Sequence, residues 1–135
     1  MNGKFFKQSD LAWQPNYMGQ IATHSSPSVS DAEKLMFLDI KMEPGKCHSF
    51  HFHPNQEEII YVMEGTIQQW IEQDSVELSA GESAFIPQGV IHATFNVSGK
   101  PARLLAILGP CIGEEGYEVT DVFEQEPWKA LAPIS

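Results

Sequence analysis

From Phe37 onward the chain is cut into apolar segments of four to seven residues by Pro, Gly, Asn or Asp, which leaves no room there for a helix of ordinary length. "LMFLDIKM" alternates, with Leu38, Ile40 and Met42 on one face and Asp39 and Lys41 on the other, as a half-buried strand does. "EPGK" turns the chain. Then come "CHSFHFH", "EEIIYVM", "TIQQWI", "SVEL", "SAFI", "IHATFNV" and "ARLLAIL", each bounded by turn residues. Strands this short and this regularly spaced predict an all-β, antiparallel sandwich or barrel. Helix signals are limited to "DAEKL" and "EPWKAL".

At 135 residues and 42% hydrophobic content, the chain can enclose one core and needs no second domain. We divide it into an amino-terminal arm and loop (1–34) packing on the barrel or a partner, a barrel (35–110) and an acidic tail (111–135) packed on the barrel. Within the first part, "THSSPSVSDAEK" has the composition of an exposed loop, and "LAWQPNYMGQIA" that of an edge strand or arm. The arm's apolar residues have no obvious place in the core, and open strand edges need cover, so a homodimer is expected. A net charge of −10 argues against nucleic acid or anionic lipid as partners. The acidic stretch "GEEGYEVTDVFEQEP" reads as a solvated face. No apolar run has the length of a signal peptide or a membrane span, which predicts a cytoplasmic protein. Cys47 and Cys111 are too few for a disulfide framework and are expected to be reduced.

The chemistry concentrates in two clusters. In "HFHPNQEE", His51 and His53 lie two residues apart on a strand, so their rings share a face with Cα atoms roughly 6.5 Å apart. Such imidazoles can converge on one ion at about 2.0 to 2.2 Å from each ring nitrogen. With a glutamate at the start of the next strand, the donor set suits Fe, Mn, Ni, Co, Cu or Zn better than Ca or Mg. The same three side chains also suit a hydrogen-bonded polar cluster. In the second cluster, "GESAFIPQGVIHATFN", Pro87 and Gly89 take the second and fourth positions of a type I turn that leads into a strand carrying His92.

Together these clusters resemble the two motifs of the cupin superfamily, G(x)5HxH(x)3-4E(x)6G and G(x)5PxG(x)2H(x)3N. Gly45, His51, His53, Glu58 and Gly65 meet the first; Gly81, Pro87, Gly89, His92 and Asn96 meet the second. The resemblance implies a double-stranded β-helix, or jelly-roll barrel. It also implies one divalent transition ion held by His51, His53, Glu58 and His92. Glu57 fits the variable gap too, but the six-residue interval to Gly65 selects Glu58. With Glu58 inward, strand parity turns Ile60 and Val62 toward the cavity, and Gln68 and Trp70 share a face that could line it. A Trp packed between sheet and tail is the competing reading for Trp70. His48 has the opposite parity to the ligands and His24 lies in the loop, so both are expected to be structural or solvent-facing. Cys47 shares the ligand face but sits about 13 Å from His51 along the strand.

The resemblance implies a choice among the activities of cupins with this ligand set, which include dioxygenases, oxalate-processing enzymes and sugar-phosphate isomerases. The scarcity of Lys and Arg, with only Lys46 between Gly45 and Gly99, argues against a phosphorylated substrate and for a phenolic or 1,3-dicarbonyl-like small molecule. The expectation is a metal-dependent dioxygenase with Glu58 as both ligand and base. The alternatives are a non-catalytic sensor or accessory protein that binds a small molecule or metal, and an isomerase or decarboxylase.

Overall fold

The computed structural model describes residues 3–135. One sheet has the order β1 (Gln14–Asn16), β2 (Gly19–Ser25), β3 (Met36–Met42), β10 (Ala102–Gly109), β5 (Glu57–Glu64), β8 (Ser83–Ile86). The other runs β11 (Thr120–Asp121), β4 (Cys47–Phe52), β9 (His92–Phe95), β6 (Thr66–Ile71), β7 (Asp74–Ser79). Every neighbouring pair is antiparallel. From β3 to β11 the chain changes sheet at each step except the β6–β7 hairpin, which is the winding of a double-stranded β-helix. Two single-turn α-helices, α1 (Pro27–Ser30) and α2 (Trp128–Leu131), and a 3-10 turn at Gln8–Asp10 complete the secondary structure of the described residues. "DAEKL" is not helical; the turn of helix begins earlier, where Ser26 caps it by accepting from the Val29 amide.

Alternation of side chains builds the core. Met36, Leu38, Ile40 and Met42 from β3, Ile60 and Val62 from β5, and Leu104 and Leu108 from β10 all point between the sheets. Each such residue contributes about 1.5–3 kcal/mol relative to exposure. A second apolar cluster lies on the opposite face of the smaller sheet, where Phe50, Ala93 and Phe95 pack under Trp128 and Leu131 of α2. The middle strand β9 is covered on both faces, so all four of its residues are buried.

Two expectations change on the larger sheet. Thr23–Ser25 belong to β2 and not to a loop. Asp39, placed by alternation on a polar face, is 1% exposed. Its carboxylate accepts two hydrogen bonds from Arg103 (2.9 and 2.8 Å) and lies 3.1 Å from His24 Nε2. Trp13 lies over this group, its ring centroid 5.7 Å from the Arg103 guanidinium carbon and 4.0 Å from the Lys41 ammonium. A polar residue on the outward face is buried here because the amino-terminal chain lies over it.

Tight reversals set the barrel's corners. Gly65 joins β5 to β6 at φ +78°, and a Cβ there would sit 2.6 Å from the Pro101 carbonyl oxygen, so only glycine fits. At the second cluster the Val90 amide donates to the Pro87 carbonyl, which makes Pro87 the first residue of the turn and Gly89, at φ +75°, its third. A positive φ at the third position is the mark of a type II turn, not the expected type I.

Candidate metal centre

The four motif side chains meet between the sheets at one end of the barrel. β4 brings His51 opposite His92 of β9, directly paired in register. His53 follows at the end of β4, and Glu58 reaches in from β5 of the larger sheet. All four are buried, at 6% exposure or less. Their ligating atoms lie within 4.8 Å of one another. Glu57, its neighbour, is exposed on the outer face.

Backbone carbonyls decide which ring nitrogens face inward. Ser49, Glu118 and Val90 accept from Nδ1 of His51, His53 and His92 at 2.6, 2.8 and 2.9 Å. A carbonyl can only accept, so each Nδ1 carries a proton and each Nε2 presents a lone pair to the centre. Glu58 Oε1 lies 2.7 Å from His92 Nε2 and 3.4 Å from His53 Nε2. Neither contact has hydrogen-bond geometry, and these three buried atoms are without partners. Lone pairs converging on a carboxylate oxygen repel one another unless a cation stands among them. The donor set therefore fits a divalent transition ion.

Burial by itself would raise the Glu58 carboxyl; a proton on Nε2 of His53 or His92 would outweigh it and hold it at about 2, and a cation standing among these atoms acts in the same sense. Burial lowers His51 well below the ordinary imidazole value, with His48 and His92 adding to the effect. At His53 burial also opposes the proton, yet the adjacent Glu58 raises its pKa overall.

A cavity of about 70 Å³ surrounds this centre. Ile60 lines it, together with Leu38, Ile40, Tyr117 and Thr94. Among the described residues its lining holds no Lys or Arg. Arg103 is turned to the outer face by Asp39.

Several expectations about the lining are corrected. Val62 is inward but wholly buried in the core, deeper than the cavity, because it lies one residue pair beyond Ile60. Gln68 and Trp70 face away: Ile67 and Gln69 are the buried inward pair of β6. Trp70 donates to Gln68 and packs edge-on against Phe50, in the cluster under the tail. His48 and Cys47 exchange roles. The pairing of β4 with β9 shifts register between His48 and His51, and the irregularity reverses the alternation. His48 thereby lines the cavity, its ring stacked on His51 with centroids 3.5 Å apart, while Cys47 packs with the outer cluster. His24 is the structural partner of Asp39.

The acidic segment read as a solvated face also serves the centre. Gln56 is 1% exposed and donates to the carbonyls of Pro110 and Gly116, while its own carbonyl accepts from the Glu118 amide. This clamp carries Tyr117 to the cavity and the Glu118 carbonyl to His53. Thr94 reaches the cavity wall with its hydroxyl donating to buried Gln69. Asn96 organises the turn after β9, donating to Met42 and Lys100 and accepting from Ser98. The one advance sign of Gln56 is its place between His53 and Glu58 within the first motif; nothing in composition marks Tyr17, Tyr117 or Thr94.

A jelly roll with a buried three-histidine, one-carboxylate centre defines a class of metal-binding β-barrel. Residues 38–108 match the Cupin domain family, and the chain belongs to it. It is 35% identical over 93 residues to the polyketide synthase protein CurC of Streptomyces cyaneus, a match spanning 68% of this chain and 60% of the relative's length. Its fold is similar to that of the polyketide cyclase RemF from Streptomyces resistomycificus (TM-score 0.73, 21% identity, 97% and 94% of the two chains). It is likewise similar in fold to KdgF from Halomonas sp. (TM-score 0.73, 20% identity, 82% and 96%).

Proposed function

We propose that this cupin is a metal-dependent enzyme acting on a small, uncharged molecule with adjacent oxygen donors, a phenol or 1,3-dicarbonyl compound. The observation that carries the reading is the set of partnerless donor atoms at His53, Glu58 and His92, opening on an apolar cavity without a cationic side chain. A bound transition ion would supply Lewis acidity, polarising the substrate's oxygens and acidifying the protons nearest them. The Glu58 carboxylate is buried among the ligand imidazoles, where it is placed to accept a proton from a substrate in the cavity. A carboxylate is a weak base and suits a proton acidified by coordination. The carbonyl contacts at Nδ1 keep the three imidazoles fixed in one tautomer during that transfer. The buried aliphatic wall of Leu38, Ile40 and Ile60 excludes water and disfavours charged groups.

Proton removal opens two reaction classes. Dioxygenation, the class expected from the sequence, continues with O2. The similarity to CurC and the fold likeness to RemF favour a second reading, an oxygen-independent ring closure or isomerisation of a polycarbonyl substrate. Metal-reconstituted protein incubated with flavonols, catechols and 1,3-diketones separates them: one class consumes O2 at an oxygen electrode. The other exchanges the acidic carbon-bound hydrogen for deuterium, or forms product, with no O2 uptake. Compounds that raise the melting temperature yet show neither response would make the chain a binding protein. We further propose that two copies associate through the larger sheet's outer face, where Ile59, Tyr61, Met63 and Phe85 are exposed.

A further inference from the structure

The metal cavity alone is too small for most molecules of the class assigned to it. Its volume of about 70 Å³ admits a chelating head and little more. Sites that enclose whole organic ligands run to roughly 300–1,000 Å³. Extension through the floor is blocked by close-packed core residues such as Leu104 and Leu108, which are 1% and 2% exposed.

Beside the cavity lies a groove of about 870 Å³. Among the described residues, Tyr17 and His48 are the two that line both spaces. Tyr17 sits in the turn between β1 and β2, and its ring meets His48 edge to face at 5.9 Å. The far wall comes from the carboxy-terminal segment, with Phe123 and Ala132 among its apolar members. Tyr17 and Phe123 are 61% and 41% exposed, a large aromatic surface for positions beside a buried centre. Asp121 and Glu124 stand there against a single Lys129, so the groove favours neutral over anionic occupants.

We propose that this groove binds the aromatic or apolar body of the substrate while the substrate's oxygen donors occupy the metal cavity, with Tyr17 and His48 forming the passage between them. The assignment rests on the phenol or dicarbonyl reading above and narrows it to aryl-substituted or similarly extended members of that class. Tyr17 and Phe123 set the preference, because an aromatic body gains ring contacts and apolar burial that a methyl group does not. His48 is held against His51 by stacking, so a ligand in the passage touches a ring that is rigid with respect to the metal ligands.

The test uses zinc-loaded, isotope-labelled protein and three probes: 2,4-pentanedione, 1-phenyl-1,3-butanedione, and 1-phenyl-1-butanone, which keeps the ring but lacks the second carbonyl. The phenyl diketone is expected to bind about tenfold more tightly than pentanedione. Phe123→Ala is expected to reduce that ratio about fivefold, with zinc content measured in parallel. Amide shifts should appear at Tyr17, Phe123 and Ala132 with both phenyl compounds. An unchanged ratio in Phe123→Ala, or phenyl diketone binding with no shift at Tyr17 and Phe123, overturns the groove and leaves the dicarbonyl reading standing. Shifts at those residues with 1-phenyl-1-butanone, while neither diketone perturbs the metal-centre residues, uphold the groove and overturn the dicarbonyl reading. Silence from all three probes overturns both.

Discussion

Glu58 holds two conflicting positions at once: it is buried, and it faces ring nitrogens whose protons are committed elsewhere. A cation resolves that conflict, so protein purified without chelator is expected to carry about one transition ion per chain. His92→Ala should reduce the metal-to-protein ratio severalfold in elemental analysis, since it removes the imidazole 2.7 Å from the carboxylate. Glu58→Gln keeps three imidazoles. It is expected to retain most of the metal while losing turnover by about 10²- to 10⁴-fold, the usual range for general-base assistance. Turnover preserved in that variant would place the base elsewhere.

At the scale of elements, the centre depends on contacts far from it in sequence. Gln56 ties the segment from Pro110 to Glu118 across the barrel end, and that segment returns the carbonyl that orients His53. Gln56→Ala is therefore expected to weaken metal binding by about 10- to 100-fold in a competitive chelator titration, although Gln56 is no ligand. A second tie joins three adjacent strands, with Asp39 of β3 between His24 of β2 and Arg103 of β10. Asp39 is buried while Arg103 is partly exposed, and Asp39→Asn should destabilise the fold by about 1–3 kcal/mol in urea titration, the range for losing hydrogen bonds to a charged group. The effect has a defined pH dependence. Burial opposes ionisation of Asp39, but Arg103 and His24 hold its pKa below the ordinary value of 3.8. A depressed native pKa means that the unfolded chain binds the proton first as pH falls. The stabilisation is complete above the unfolded pKa and disappears as pH drops through the native one. The difference between wild type and Asp39→Asn should accordingly be constant near neutrality and shrink below about pH 4.

Across the whole molecule, the two faces of the larger sheet have different fates. The inner face is core; the outer face presents Ile59, Tyr61 and Phe85 at 41%, 38% and 53% exposure, and Ile59 pairs directly with Phe85. Contiguous apolar surface on a sheet calls for a covering partner. Light scattering is expected to give twice the 15.1 kDa chain mass at micromolar concentration, and Ile59→Lys with Phe85→Lys should return it to the single-chain value. A monomeric wild type would rule out the dimer.

Strand punctuation was enough to predict an antiparallel sandwich or barrel, because turn residues and alternation are local properties of the chain; the jelly roll and the set His51, His53, Glu58 and His92 were implied by the resemblance of the two spaced motifs to the cupin superfamily, and the fold brings those four side chains together. Tertiary structure decided what depends on partners distant in sequence. The irregular pairing of β4 with β9 moved His48 into the cavity and Cys47 out of it. Burial of Asp39 required the amino-terminal chain to lie over it, and Trp70 was claimed by the tail. The acidic carboxy-terminal segment has no periodicity to read, yet hydrogen bonds from Gln56 draw it over the metal centre. Alternation assigns a face only while register is regular, and a charged composition describes a segment's solvation only until another element packs against it.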